Sequence, residues 1–212
     1  MSKMQTISGL FAHTCEQVTH SPQAWMEFLT TASRFYKAYD FDDQLLIYAQ
    51  RPNATACADI GFWNDEMRRW VNAGTTAIAL IRKGYGGQPY LSYVHDIADT
   101  HPVKDGKRPW SGQMRPEQET AVCEMLREKF DGNGADRGTL LMDTGEKLAL
   151  EVCADMTQDL IYEKTDSFLE ELDDLNIEVA FRNLVRASTQ YELLIRCGVY
   201  PADYLDEDDL RG

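Results

Sequence analysis

No apolar run in the chain approaches the roughly 20 residues that a membrane-spanning helix needs. The start, Met1-Ser2-Lys3-Met4-Gln5-Thr6, lacks the charged-then-apolar order of a secretory signal. Histidine is scarce, with four residues, and the five cysteines (Cys15, Cys57, Cys123, Cys153, Cys197) are odd in number and widely spaced. No CxxC pair, HExxH run, Walker loop or dinucleotide fingerprint occurs. These absences speak against a zinc site, a disulfide framework and a phosphate cradle. The chain therefore reads as cytoplasmic and reduced, with no membrane partner. Basic residues are also in deficit: 21 Lys+Arg against 35 Asp+Glu give a net charge of −14 over 212 residues. Taken as a whole, that balance excludes nucleic-acid binding by blanket phosphate neutralisation.

The charge is unevenly spread. Residues 1–115 hold 12 basic and 11 acidic residues, whereas residues 116–212 hold 9 basic and 24 acidic ones. A near-neutral segment, 1–115, thus precedes a segment, 116–212, of net −15. The loop His101 to Trp110, rich in proline, glycine and charge, is the natural join.

Within the first segment, Ser21-Pro22 marks a helix start, and the apolar stripe from Trp25 through Phe28, Leu29, Ala32, Phe35 and Tyr36 predicts helix to about Tyr39. Asp42-Asp43 opens a second helix that ends before Pro52. Phe62, Trp63, Met67, Trp70 and Val71 predict a third, closed by Gly74. The pattern then changes to a hairpin, Thr75 to Lys83 and Tyr90 to Ile97, around the Gly84-Tyr85-Gly86-Gly87 tip. Beyond the join, Pro116 starts a helix that Asp131-Gly132-Asn133-Gly134 ends. Asp143 with Glu146 resembles the cap of the next helix, and Ile177 to Ile195 forms the last, stopping at Gly198. The expected class is α+β and mostly helical, with N-terminal helices on a small hairpin or sheet and an all-α acidic region behind.

Four constellations could carry chemistry. Arg51, Arg68, Arg69, Arg82 and Lys83, interleaved with Trp63, Trp70 and Tyr85, have the mixture of cation and ring that single-strand binders use. Helix packing for the tryptophans and solvation for Arg68 and Arg69 explain the same residues. His95-Asp96-Ile97-Ala98-Asp99-Thr100-His101 holds two imidazoles and two carboxylates, the raw material of a metal-dependent nuclease. A polar strand end running into a loop is the simpler account. The glycine-rich tip has no following Lys-Ser/Thr helix, so it is a turn with one aromatic, Tyr85. The last is acidic: Asp155, Asp159 and Glu163 recur at four-residue spacing, followed by Asp166, Glu170, Glu171, Asp173 and Asp174, and later by Asp206 to Asp209. Like charges along one helix face cost stability, and a carboxylate row imitates phosphates. A solvated face is the plain alternative. No catalytic residue, metal or cofactor is assigned.

The run Phe41-Asp42-Asp43-Gln44-Leu45-Leu46-Ile47-Tyr48-Ala49-Gln50-Arg51-Pro52-Asn53-Ala54-Thr55-Ala56-Cys57-Ala58 resembles the N-terminal segment of the very large helicase/methylase proteins carried by conjugative elements of gut Gram-positive bacteria. That segment is similar to the N-terminal, single-stranded-DNA-binding domain of ArdC-type antirestriction proteins. The likeness continues through Trp63-Asn64, Met67-Arg68-Arg69, Ala77 to Ile81, Tyr93-Val94, Ser167 to Glu171, Ala180 to Asn183 and Arg196-Cys197-Gly198. The resemblance implies a counter-defence module, with nucleic-acid contacts carried over to Arg51, Trp63, Arg68 and Arg69. It does not extend to the metalloprotease half of that family, and His95 stands where an aromatic or apolar residue is expected. The resulting expectation is a non-enzymatic inhibitor of a host nuclease, such as a Cas effector or restriction enzyme, with single-stranded DNA or guide-RNA binding as the alternative.

Overall fold

Caps written in the sequence set most of the helix starts. The computed structural model describes residues 2–35, 39–109 and 113–210, and the chain divides into two compact units, Met1–Gly112 and Gln113–Gly212. In the first unit, α1 (Lys3–Val18), outside the elements expected above, is closed by a reciprocal box between Ser2 and Gln5. Helix α2 (Pro22–Ala32) begins on the Ser21 cap with Pro22 in its first turn, as the sequence predicts. It does not run on to Tyr39. Its last turn leaves the helix where the Thr31 hydroxyl donates to Pro52 O (2.5 Å) and Arg34 donates to Ala54 O (3.1 Å). Phe35 is still buried, so the stripe serves the core after the helix has ended. Tyr36 and the linker residue Trp110 lie outside the described residues.

Asp40 caps α3 (Phe41–Gln50), whose Leu45, Leu46 and Ile47 are fully buried. A two-residue strand, β1 (Cys57–Ala58), follows, then a single π-helical turn, Phe62–Glu66. The helix expected from Phe62 to Val71 does not form. Arg68 takes a positive φ of 52°, and residues 69–71 become strand β2 (Arg69–Val71). The backbone there bonds across the chain instead of along a helix: Val103 N–H donates to Arg68 O and Lys107 N–H to Met67 O. The hairpin forms as expected, with β3 (Ile78–Lys83) and β4 (Pro89–Asp96) antiparallel, and β5 (Thr100–Pro102) completes the strands. One sheet has the order β1-β4-β3; β2 and β5 make a separate pair. Residues of α1 and α3 join Ile78, Ala79, Leu80 and Val94 in one core. The Gln50 amide completes the contact by pairing with both backbone groups of Ala79, each at 2.9 Å.

In the second unit, Pro116–Gln118 forms a short turn leading into α4 (Glu119–Phe130), which ends on left-handed Asp131. Helix α5 (Arg137–Tyr162) starts on Asp136, with Thr139 reciprocating. Asp143 is therefore not a cap. It lies inside the helix, accepting from Asn133 N–H (2.8 Å) and pairing with Lys147 (2.9 Å). Helix α6 (Asp174–Arg196) starts on Asp173 and stops at Gly198, whose φ is +67°. Leu126, Leu140, Leu141 and Leu194 form the core of this unit. The architecture is α+β and mostly helical.

Helices α5 and α6 run antiparallel and approach closely. Gln190 is buried and donates to Met142 O (2.8 Å). A Cβ at Gly145 would stand 2.6 Å from Gln190 Cγ and 3.2 Å from its Cα, so the glycine sets the spacing. Gly145→Ala is expected to cost about 1–3 kcal/mol, the usual penalty of overpacking. Urea denaturation followed by circular dichroism measures it, and an unchanged midpoint would mean that the helices part without cost.

Candidate partner-binding surface

The basic and aromatic residues of the first unit are largely committed to internal bonds. Arg51 pairs with Asp99 at 2.9 Å. Arg69 donates from Nε to the Thr100 hydroxyl (2.7 Å) and from its terminal nitrogens to the carbonyls of Thr100 and Lys107. Arg82 pairs with Asp43, a buried carboxylate whose ionisation burial opposes. Trp63 is 1% exposed and its indole N–H donates to His95 O (2.9 Å). Arg68, Lys83 and Tyr85 are exposed. So is Trp70, placed in a helix core by its spacing and instead 58% exposed on β2. Of these eight residues, Arg51, Trp63, Arg69 and Arg82 are structural, and Arg68, Trp70, Lys83 and Tyr85 lie on the surface.

The His95 to His101 segment does not converge either. Asp96, 1% exposed, accepts from the backbone N–H groups of Thr55 (2.6 Å), Ala56 (3.0 Å) and Ala98 (2.9 Å). Asp99 serves Arg51, and His101 Nδ1 lies 2.6 Å from the Asn72 side-chain oxygen. Among the described residues, no group of three or more His, Cys, Asp or Glu side chains is arranged to hold a metal ion.

The acidic residues behave differently. Between residues 148 and 181 there are ten Asp or Glu and one cation, Lys164. Asp155 and Asp159 are exposed on α5, and Glu163 is the residue that ends it. None of these three carboxylates has a side-chain hydrogen bond or ion pair among the described residues. Their position is unfavourable twice over. They repel one another at four-residue spacing, and Asp159 and Glu163 also sit at the negative end of the helix dipole, where α5 has no basic residue in its last turn.

The turn from α5 to α6 fixes the rest of the display. Lys164 Nζ bridges Leu172 O (3.2 Å) and Asp174 (2.6 Å), which neutralises Asp174. Asp173 accepts from Asn176 N–H (2.9 Å) as the cap of α6. Glu170 accepts from Asp166 N–H (3.2 Å), while Asp166 holds a left-handed φ of 61°. Of the acidic residues predicted between 155 and 174, the carboxylates of Asp155, Asp159, Glu163 and Asp166 therefore have no partner among the described residues. Asp173, Asp174 and Glu170 shape the turn.

Apolar residues stand among these charges, and charge counting alone overlooks them. Phe168 is 90% exposed, Tyr162 87% and Leu175 67%, and Leu172 is also exposed. The signal in the sequence is five large apolar residues, these four and Leu169, within the acid-rich stretch from 162 to 175, at a point where helical periodicity lapses. Exposed apolar groups of this size, gathered at one turn, mark interaction sites.

The fold and this surface together define a mostly helical α+β protein with a carboxylate-rich, apolar-tipped helical hairpin. No family model, curated protein or solved structure matches the chain. Among the described residues, no helix is long and apolar enough to cross a membrane.

Proposed function

We propose that the protein is a counter-defence factor of a mobile element that inhibits a host nucleic-acid-targeting nuclease, a Cas effector or restriction enzyme, by binding it directly. The observation that carries this reading is the unpaired row Asp155, Asp159, Glu163, maintained at the end of α5 against its own repulsion. Residues four apart on a helix are about 6 Å apart along its axis. That is close to two steps of the roughly 3.4 Å rise between phosphates on one strand of a duplex. A basic channel built for a phosphodiester backbone therefore meets a row of negative charges with no base to read and no bond to cut. The first unit supports the reading from the other side, because Arg51, Arg69 and Arg82 are occupied internally and leave little cationic track for nucleic acid.

The test is charge reversal. Asp155→Lys, Asp159→Lys and Glu163→Lys in one chain are expected to lower inhibition of a sensitive nuclease by about tenfold to a hundredfold. Inhibition by the parent is expected to weaken as salt rises. Inhibition that survives the reversal would sink the phosphate-mimic account.

A further inference from the structure

The turn that carries the acidic row also presents an apolar surface, and the surrounding charge restricts what can cover it. Phe168 and Leu172 are exposed in the connection between α5 and α6, Tyr162 is exposed at the last residue of α5 and Leu175 in the first turn of α6, and the connection is braced by Lys164. A loosely ordered loop would lose entropy on binding, whereas a braced turn presents its rings at little further cost. A second copy of this chain would bring ten further carboxylates against the first ten, with one lysine on each side. An anionic lipid surface and a nucleic acid meet the same repulsion.

We infer that the tip is an anchor for a cationic protein face: an apolar recess that takes Phe168 and Tyr162, rimmed by Arg or Lys side chains that meet Asp159, Glu163 and Asp166. This rests on the proposed function and names the chemistry of the partner surface. Nuclease recognition then has two separable parts. The carboxylate row supplies attraction that salt weakens, and the buried rings supply contact that salt does not. Aromatic side chains seated in a desolvated pocket are the usual dominant residues of such interfaces. A phosphate-like row alone would fit any basic groove, so the rings are what restrict the protein to particular targets.

The experiment uses the full chain against a panel of purified, guide-loaded Cas effectors and restriction endonucleases, with affinity measured at about 0.1 M and about 0.5 M salt, where the Debye length shortens from roughly 10 Å towards 3 Å. Three chains are compared: the parent, Tyr162→Ser/Phe168→Ser, and Asp155→Asn/Asp159→Asn/Glu163→Gln. Both variants alter exposed side chains and leave no cavity, and circular dichroism checks their folding. The ring variant is expected to lose affinity by roughly tenfold or more at both salt concentrations. The charge variant is expected to lose it chiefly at low salt. An unchanged ring variant beside a weakened charge variant overturns the anchor and leaves the proposed function standing. A weakened ring variant beside an unchanged charge variant overturns phosphate mimicry and, with it, the cationic rim of the inferred anchor. Binding to no member of the panel overturns both. Self-association of the parent that the ring variant abolishes overturns the inference in favour of a second copy.

Discussion

Asp96→Ala is expected to unfold the N-terminal unit or to leave it only marginally stable. The carboxylate is almost wholly buried at the end of β4 and joins three stretches of chain: Thr55 and Ala56, the strand itself, and the turn at Ala98. Alanine removes the acceptor and leaves three backbone N–H groups without a partner. At about 1–3 kcal/mol for each unsatisfied buried donor, and less for the N–H of Ala98, an exposed residue, the loss is about 2–5 kcal/mol. That is comparable to the entire stability of a small domain. Asp96→Asn is expected to recover part of it, since its amide oxygen satisfies donors on one side while its NH2 group faces donors on the other. The readout is selective because all four tryptophans, Trp25, Trp63, Trp70 and Trp110, precede residue 113. Intrinsic fluorescence therefore follows this unit, and an Asp96→Ala chain with the parent's urea midpoint would show that the three bonds carry no net weight.

Glu192→Gln is expected to stabilise the C-terminal unit at neutral and alkaline pH. Burial pushes the Glu192 carboxyl up to about 7 from its ordinary 4.5, with Arg196 offsetting part of the effect. Below about 4.5 both folded and unfolded chains hold the proton, and the group makes no pH-dependent contribution. Between these values the folded chain keeps a proton that the unfolded chain releases. Stability therefore falls as pH rises from about 4.5 to about 7, and it levels off above that. Glutamine removes this decline. At pH 8 the variant is expected to gain roughly 2–3 kcal/mol over the parent, and at pH 4 nothing. Urea titrations at the two pH values, followed by circular dichroism, give the comparison. An equal gain at both would assign the effect to packing and not to protonation.

The parts of the fold that can be read from the sequence are those decided by neighbours in the chain. Ser21-Pro22 starts a helix, Pro52 closes one, and β-branched residues around a glycine-rich tip make a hairpin, because each rests on local backbone preference. The region from Phe62 to Val71 misleads because its aromatic spacing fits a helix, while its outcome depends on distant partners. Trp63 is held by His95 O, and the backbone of Met67 and Arg68 by residues 103–107. Asp143 and Glu146 mislead in another way. The spacing of a capping box also occurs inside a helix, and Asp136, seven residues earlier, is the cap that forms. The acidic row is legible because repulsion requires exposure. The commitment of Arg51 and Arg82 to ion pairs is not, since Asp99 and Asp43 are 48 and 39 residues away.

The amide of Gln50 has a consequence for how copies of this protein meet. It occupies the outward N–H and C=O of Ala79 on β3, the strand at one border of the three-stranded sheet. A border strand with open backbone groups is a template on which another chain can crystallise its own strand, the first step towards fibrils. Here one glutamine side chain fills that template at the level of Ala79, and β1, at the other border, is only two residues long. The protein thus carries built-in protection against templated growth, and at the β3 border one neutral side chain at the end of α3 supplies it at Ala79.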